Sequence, residues 1–144
     1  MSKKYKDVYT FLVVAQKWLT DHPQESKFRY ALRKVVKQAE KTWSAYQEAV
    51  EELDIEHAAT GDKDVILKDQ HGQIAFTKDG LRARNKARKA LFDSEVTIEP
   101  YYAKDVPELT DAERDAFTGF VLKEHIRLSE REPATPDPKE LARA

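Results

Sequence analysis

Residues 24–60 read QESKFRYALRKVVKQAEKTWSAYQEAVEELDIEHAAT and contain neither glycine nor proline. Phe28, Leu32, Val35, Ala39, Trp43, Tyr46, Val50, Leu53 and His57 recur along this stretch in steps of three and four residues. The mean step is about 3.6, the period of an α-helix with one face turned inward. The stretch therefore predicts one long amphipathic helix. About 36 helical residues reach roughly 54 Å, whereas a domain of this chain length has a diameter nearer ~40 Å. Such a helix is expected to outgrow the body it belongs to, and its distal stripe, Trp43, Tyr46, Val50 and Leu53, must be covered by the small β–α unit, the last helix or another protomer.

Upstream, Val8, Phe11, Leu12, Ala15, Trp18 and Leu19 form the apolar face of a first helix, from about Lys4 to Leu19. The link Thr20-Asp21-His22-Pro23 is short, so the two helices should pack antiparallel. Pro23 suits the first helical position, where its missing N–H would have had no partner. Downstream, Gly61 is placed to end the long helix in a left-handed cap. Val65-Ile66-Leu67 and Gln73-Ile74-Ala75-Phe76 flank an Asp-x-x-Gly turn and predict a hairpin, with Gly72 at positive φ. Thr77 can cap a third helix, Lys78 to Phe92, whose inner face would be Ala83, Ala87, Ala90 and Leu91. Glu95-Val96-Thr97-Ile98-Glu99 alternates with period two and reads as a third strand, with Pro100 marking its end. Thr110 followed by Glu113 is the pattern of a capping box opening a last helix, about Asp111 to Glu130, with Phe117, Phe120, Val121 and Leu128 on its apolar side. The expected fold class is mainly α (α+β): an antiparallel helical hairpin with one overlong helix, a small three-stranded β element and a C-terminal helix. It forms one domain over residues 1–132, followed by a flexible proline-bearing tail over 133–144.

Composition narrows the function. The chain has 144 residues, 35% charged and 40% hydrophobic, with a net charge of −1. This suits a soluble helical protein and gives the whole molecule no strong attraction to nucleic acid or anionic membrane. There are no cysteines, which removes disulfides, thiolate zinc sites and cysteine nucleophiles. Lys3, Lys4 and Lys6 precede an apolar octet, Val8–Ala15, but Asp7 interrupts the basic run and no cleavage site follows, so a helix is expected rather than a secretory signal. No run approaches the ~18–20 apolar residues that span a bilayer. A cytoplasmic protein is expected.

Charge along the long helix is segregated. Lys27 to Lys41 holds six bases against one acid, and Glu48 to Glu56 holds five acids and no base. This order runs against the helix macrodipole. Two copies lying antiparallel would match opposite ends. Alternatively, the acidic half docks on the third helix of its own chain, where Lys78 to Lys89 carries six bases against one acid. That third helix, through Arg82, Arg84, Lys86, Arg88 and Lys89, is also the candidate for phosphate contacts, although no aromatic residue interleaves it to stack on bases.

Catalytic patterns are sparse. Asp54-x-x-His57 has one ligand spacing of a di-iron bundle but lacks the second copy. His22 and His71 fall in turns. Glu95 and Glu99 share a strand face, as solvent-facing residues of any half-buried strand do. No glycine-rich phosphate loop, nucleophile elbow or H-E-x-x-H occurs. No catalytic residue, metal or cofactor is assigned.

Four segments taken together, Glu25-Ser26-Lys27-Phe28-Arg29, Asp69 to Gly72, Glu95-Val96-Thr97-Ile98-Glu99 and Leu109 to Phe120, resemble a family of small uncharacterised proteins of tailed phages and prophages. The resemblance spans about residues 8 to 125. It implies a phage or prophage origin and a short helix, a long charged helix, a β–α–β unit and an acidic closing helix. It implies no established activity and supplies no catalytic residue. The expected function is a non-enzymatic interaction or assembly accessory protein. Its partner would be a second copy or a host or phage protein, bound through Trp43, Tyr46, Val50 and Leu53. A nucleic-acid accessory protein using the basic helix is the alternative.

Overall fold

The computed structural model describes residues 2–123. The elements run β1 (Ser2–Lys4), α1 (Tyr5–Asp21), α2 (Lys27–Glu56), a 3-10 turn (Asp62–Asp64), α3 (Lys78–Phe92), β2 (Glu95–Thr97) and α4 (Asp111–Phe117). The protein is mainly helical with a small two-stranded antiparallel sheet. No helix among the described residues is long and apolar enough to cross a membrane.

α2 is one unbroken helix of 30 residues, about 45 Å long and shorter than the sequence suggests at both ends. It begins at Lys27 rather than at Pro23, because the Ser26 hydroxyl accepts the Arg29 amide at 3.1 Å and acts as its cap. It ends at Glu56 without a left-handed glycine, since Gly61 has φ −104°. The chain is instead drawn off into a loop, with the Ala59 amide bonded to the Ala75 carbonyl and the Gly61 amide to the Val65 carbonyl. Lys63 and Asp64 take the positive φ values, 56° and 63°.

The described residues fall into two compact units, and α1 and α2 each contribute to both. The first takes Thr10–Gln38 and, among the described residues, 98–123. Phe11, Trp18, Phe28, Leu32, Val35, Ile98, Leu109, Phe117, Phe120 and Val121 are buried in it. Phe11 stacks on Phe120 with ring centroids 4.2 Å apart and meets Phe117 edge-on at 5.8 Å, while Phe28 meets Trp18 at 5.1 Å. The Thr110–Glu113 capping box forms as read, each side chain bonding the other's backbone amide. α4, however, stops at Phe117. Thr118 is extended (φ −64°, ψ 128°) and Gly119 has φ 86°, so Phe120 and Val121 reach the core from a turn rather than from a helix. Leu128 and the remainder of the expected helix lie outside the described residues, as does the tail from Pro133.

The second unit takes Ser2–Tyr9 and Ala39–Thr97. Its sheet pairs Ser2 with Thr97, Lys3 with Val96 and Lys4 with Glu95. β1 was not expected, and the expected strands at 65–67 and 73–76 do not form. That segment makes isolated antiparallel bridges instead, Thr60 with Ile66 and Lys68 with Ile74, around a turn in which Gly72 has φ 78°. Ala59, Leu67 and Ala75 share their backbone bonds among three chain passes rather than along one ladder, and Val65 and Leu67 remain exposed. α3 starts at Thr77, whose hydroxyl accepts the Gly80 amide at 2.9 Å. Of the expected inner face, Ala87 and Leu91 are less exposed while Ala83 and Ala90 are exposed, and Gly80, Arg84 and Phe92 complete the less exposed side. A side chain at Gly80 would come within 2.8 Å of the His57 carbonyl, so glycine lets the start of α3 lie against the end of α2.

Candidate functional site

The distal stripe of α2 lies wholly in the second unit, and its own chain covers much of it. Tyr46 is only 5% exposed. Its ring stacks on Trp43 at 4.5 Å and meets Tyr5 at 5.2 Å and Phe92 at 5.7 Å. Trp43 in turn meets Tyr9 at 5.1 Å and Phe92 at 6.3 Å. The Tyr9–Trp43 and Tyr5–Tyr46 contacts fix α1 and α2 as antiparallel here. Trp43, Val50 and Leu53 are half-buried, so the stripe is neither bare nor sealed. Tyr5, Tyr9 and Phe92, which complete the ring cluster, are absent from the sequence-based set. None of the three falls on the apolar stripe read for its own helix, and only the pairing of α1 and α3 with α2 gives it ring neighbours.

Two clefts open on this cluster. One, of about 420 Å³, is lined by Tyr9, Trp43, Tyr46, Asn85, Arg88, Lys89 and Phe92. The other, of about 540 Å³, lies along α2 between Trp43 and Asp54 and includes Glu48, Val50, Glu51 and again Arg88. Trp43, Tyr46 and Arg88 belong to both.

The basic residues of α3 divide by what they touch. Arg84 is folded inward, its side chain 17% exposed. Its Nε donates to Asp54 Oδ1, its Nη1 donates to Asn85 Oδ1 at 3.0 Å, and its guanidinium lies 5.7 Å from the Phe76 ring centre. The acidic half of α2 thus does dock on α3 of the same chain, through one ion pair. Arg82 is exposed, 3.6 Å from Asp79 on its own helix. Lys86, Arg88 and Lys89 are exposed, and their side chains make no ion pair among the described residues.

Histidines play local roles. His22 Nδ1 donates to the Trp18 carbonyl at 2.9 Å with its ring stacked on Trp18, and His57 Nδ1 donates to the Leu53 carbonyl at 3.0 Å. No group of three or more His, Cys, Asp or Glu side chains that could hold a metal ion occurs among the described residues. Chemically, the site offers aromatic surface, an arginine with no ion pair among the described residues (Arg88) and a nearby row of carboxylates. Compared with models of protein families, with curated proteins and with solved structures, the chain matches none.

Proposed function

We propose that this protein is a non-enzymatic, phage- or prophage-type interaction or assembly accessory protein, acting in the host cytoplasm, which docks a partner protein along the α2–α3 clefts. The observation that carries the reading is Arg88. It lines both clefts, between the aromatic cluster and Glu48 and Glu51, and has no ion pair among the described residues. Arginine, tryptophan and tyrosine in a half-desolvated recess are the residue types that dominate binding energy at protein interfaces. The chemistry fits a partner segment bringing an apolar anchor for Tyr9, Trp43 and Phe92 and a carboxylate for Arg88. Val50 extends the apolar floor, whereas Leu53 lines neither cleft. The phage or prophage origin rests on the resemblance of the Glu25–Arg29, Asp69–Gly72, Glu95–Glu99 and Leu109–Phe120 segments.

Nucleic-acid binding by α3 is the weaker reading, because Arg84 is committed to Asp54 and Arg82 lies beside Asp79. Self-association through α2 is also less favoured, since the acidic half has found a cation within its own chain.

A photo-crosslinker at position 89 tests the proposal in lysate of a lysogenic bacterial host. One partner protein should be captured, and Arg88→Glu should reduce capture about ten-fold or more while leaving helical circular dichroism unchanged. Crosslinks only to a second copy, or capture indifferent to Arg88→Glu, would overturn it.

A further inference from the structure

The first unit carries a second surface of different chemistry. Along α2, Lys27, Tyr30, Lys34 and Lys37 recur at steps of three and four and are all exposed. The start of the segment after β2 is tied beside this helix by a reciprocal pair of hydrogen bonds, Gln38 Nε2 to the Glu99 carbonyl at 2.9 Å and the Glu99 amide to Gln38 Oε1 at 2.6 Å. The Tyr101 and Ala103 amides bond the Phe120 and Val121 carbonyls, each at 2.9 Å. Anchored on both sides, the 100–105 segment and the start of α2 enclose an open groove of about 900 Å³ whose lining includes Lys27, Tyr30, Tyr101, Tyr102 and Lys104.

Three tyrosines stand out of this groove, Tyr30 at 55%, Tyr101 at 42% and Tyr102 at 38% exposure. Tyr30 and Tyr101 meet edge to face at 6.0 Å, and Lys34 Nζ sits 5.9 Å from one ring centre and 5.2 Å from the other. Internal stability does not account for the cations. The first turn of α2 holds no acid, although the macrodipole disfavours bases there. Lys27, Lys34, Lys37 and Lys104 make no ion pair with a carboxylate among the described residues. Of the two acids in the groove, Glu25 already lies 3.9 Å from Arg29 and 3.7 Å from Arg33. Asp105 is the other acid of the lining, which it shares with Lys27 and Lys104, while Lys34 and Lys37 continue the exposed row along α2 beyond the lining.

We infer that this tyrosine–lysine groove binds single-stranded nucleic acid, with Tyr30, Tyr101 and Tyr102 as stacking faces and Lys27, Lys34, Lys37 and Lys104 along the phosphates. Exposed rings interleaved with cations in an open groove suit a strand whose bases are unstacked from a complement, because every base offers a π-face whatever its identity. A duplex hides those faces. An acidic peptide would satisfy the lysines but has no use for three exposed rings. α3 has the cations without the rings. The inference is independent of the α2–α3 clefts.

Fluorescence anisotropy with labelled oligothymidylate, and with a duplex of equal length, tests it. The single strand should bind more tightly than the duplex. The logarithm of its affinity should fall against the logarithm of salt with a slope of about −2 to −3, as three or four released counterions require. Tyr101→Ala should weaken binding about five-fold or more, and Tyr101→Phe should retain it, because stacking needs the ring and not the hydroxyl. Lys34→Gln should flatten the slope by about 0.7, and Lys86→Gln with Lys89→Gln should change nothing. All these positions are exposed, and unchanged circular dichroism verifies folding. Any of four results would overturn the inference: no binding at low salt, equal binding of the duplex, equal competition by polyglutamate, or loss through the α3 variants while Tyr101→Ala still binds.

Discussion

The two halves of α2 share one periodicity and differ in fate. From Lys27 to Gln38, Phe28, Ala31, Leu32, Val35 and Val36 are all buried. From Ala39 to Glu56 only Ala39 and Tyr46 are, while Trp43, Val50 and Leu53 stay half-exposed. The difference lies in what each unit supplies. The first unit brings Phe11, Phe117 and Phe120, whose rings interlock at 4.2–5.8 Å. The second brings α3, which has no buried residue of its own and meets the end of α2 through Gly80 and Arg84. An apolar stripe states which side of a helix faces inward. How much apolar surface is waiting there is decided by the other elements.

The sharpest way to break this contrast is a pair of truncations followed by urea unfolding. Leu32 is fully buried, so Leu32→Ala should cost about 3–5 kcal/mol through lost transfer energy and the cavity left behind. Val50 borders a cleft, so Val50→Ala should cost about 1 kcal/mol or less, as truncation there opens no new cavity. Equal costs would mean that the second half is packed as tightly as the first and that the cleft along it has no free wall.

The same contrast explains what could be read from the chain. The long helix, the Thr77 cap and the Thr110–Glu113 box were legible because each depends on neighbours within a few residues. The Thr118-Gly119 stop was legible in principle, since a β-branched residue followed by glycine invites an extended residue and a positive φ, but the apolar spacing of Phe117, Phe120 and Val121 imitates a continuing helix. β1 carries no pattern at all: Ser2-Lys3-Lys4 becomes a strand only because Glu95–Thr97 lies opposite. On α3 the apolar spacing gives Ala87 and Leu91 correctly, whereas Ala83 and Ala90 are exposed and Arg84 takes an inward position because Asp54 and Phe76 are there to receive it. The candidate surfaces follow suit. Trp43 and Tyr46 belong to a visible stripe. Tyr9, Phe92, Tyr30 and Tyr101 gain meaning only from partners between 34 and 83 residues away.

The Asp54–Arg84 pair sharpens the comparison at the site itself. Asp54→Leu leaves a guanidinium 17% exposed with only Asn85 and the Phe76 ring for company. That should cost about 1–2 kcal/mol, the range for a mostly buried donor group deprived of its acceptor. Adding Arg84→Met removes the stranded charge and should bring stability back to within about 1 kcal/mol of the parent, because a hydrophobic pair of similar size commonly replaces a buried ion pair without loss. A double variant as unstable as the single one would show that Arg84 holds α3 by more than its charge.

Helix caps give the finest comparison, one in each unit. Thr110 serves a reciprocal box, its hydroxyl accepting the Glu113 amide at 3.1 Å while Glu113 Oε1 accepts the Thr110 amide at 2.8 Å. The Thr77 hydroxyl accepts the Gly80 amide at 2.9 Å, and Gly80 has no side chain to return the bond. Thr110→Ala should therefore cost about 1 kcal/mol or slightly more, and Thr77→Ala about 0.5–1 kcal/mol. Hydrogen exchange separates the two units where a global melt cannot. If they open independently, Thr110→Ala speeds exchange of the buried amides of Ala116 and Phe117 and leaves those of α3 untouched, and Thr77→Ala does the reverse. If either substitution accelerates both sets equally, α1 and α2 carry the opening from one unit to the other, and the half-exposed stripe of α2 is as stable as the buried one.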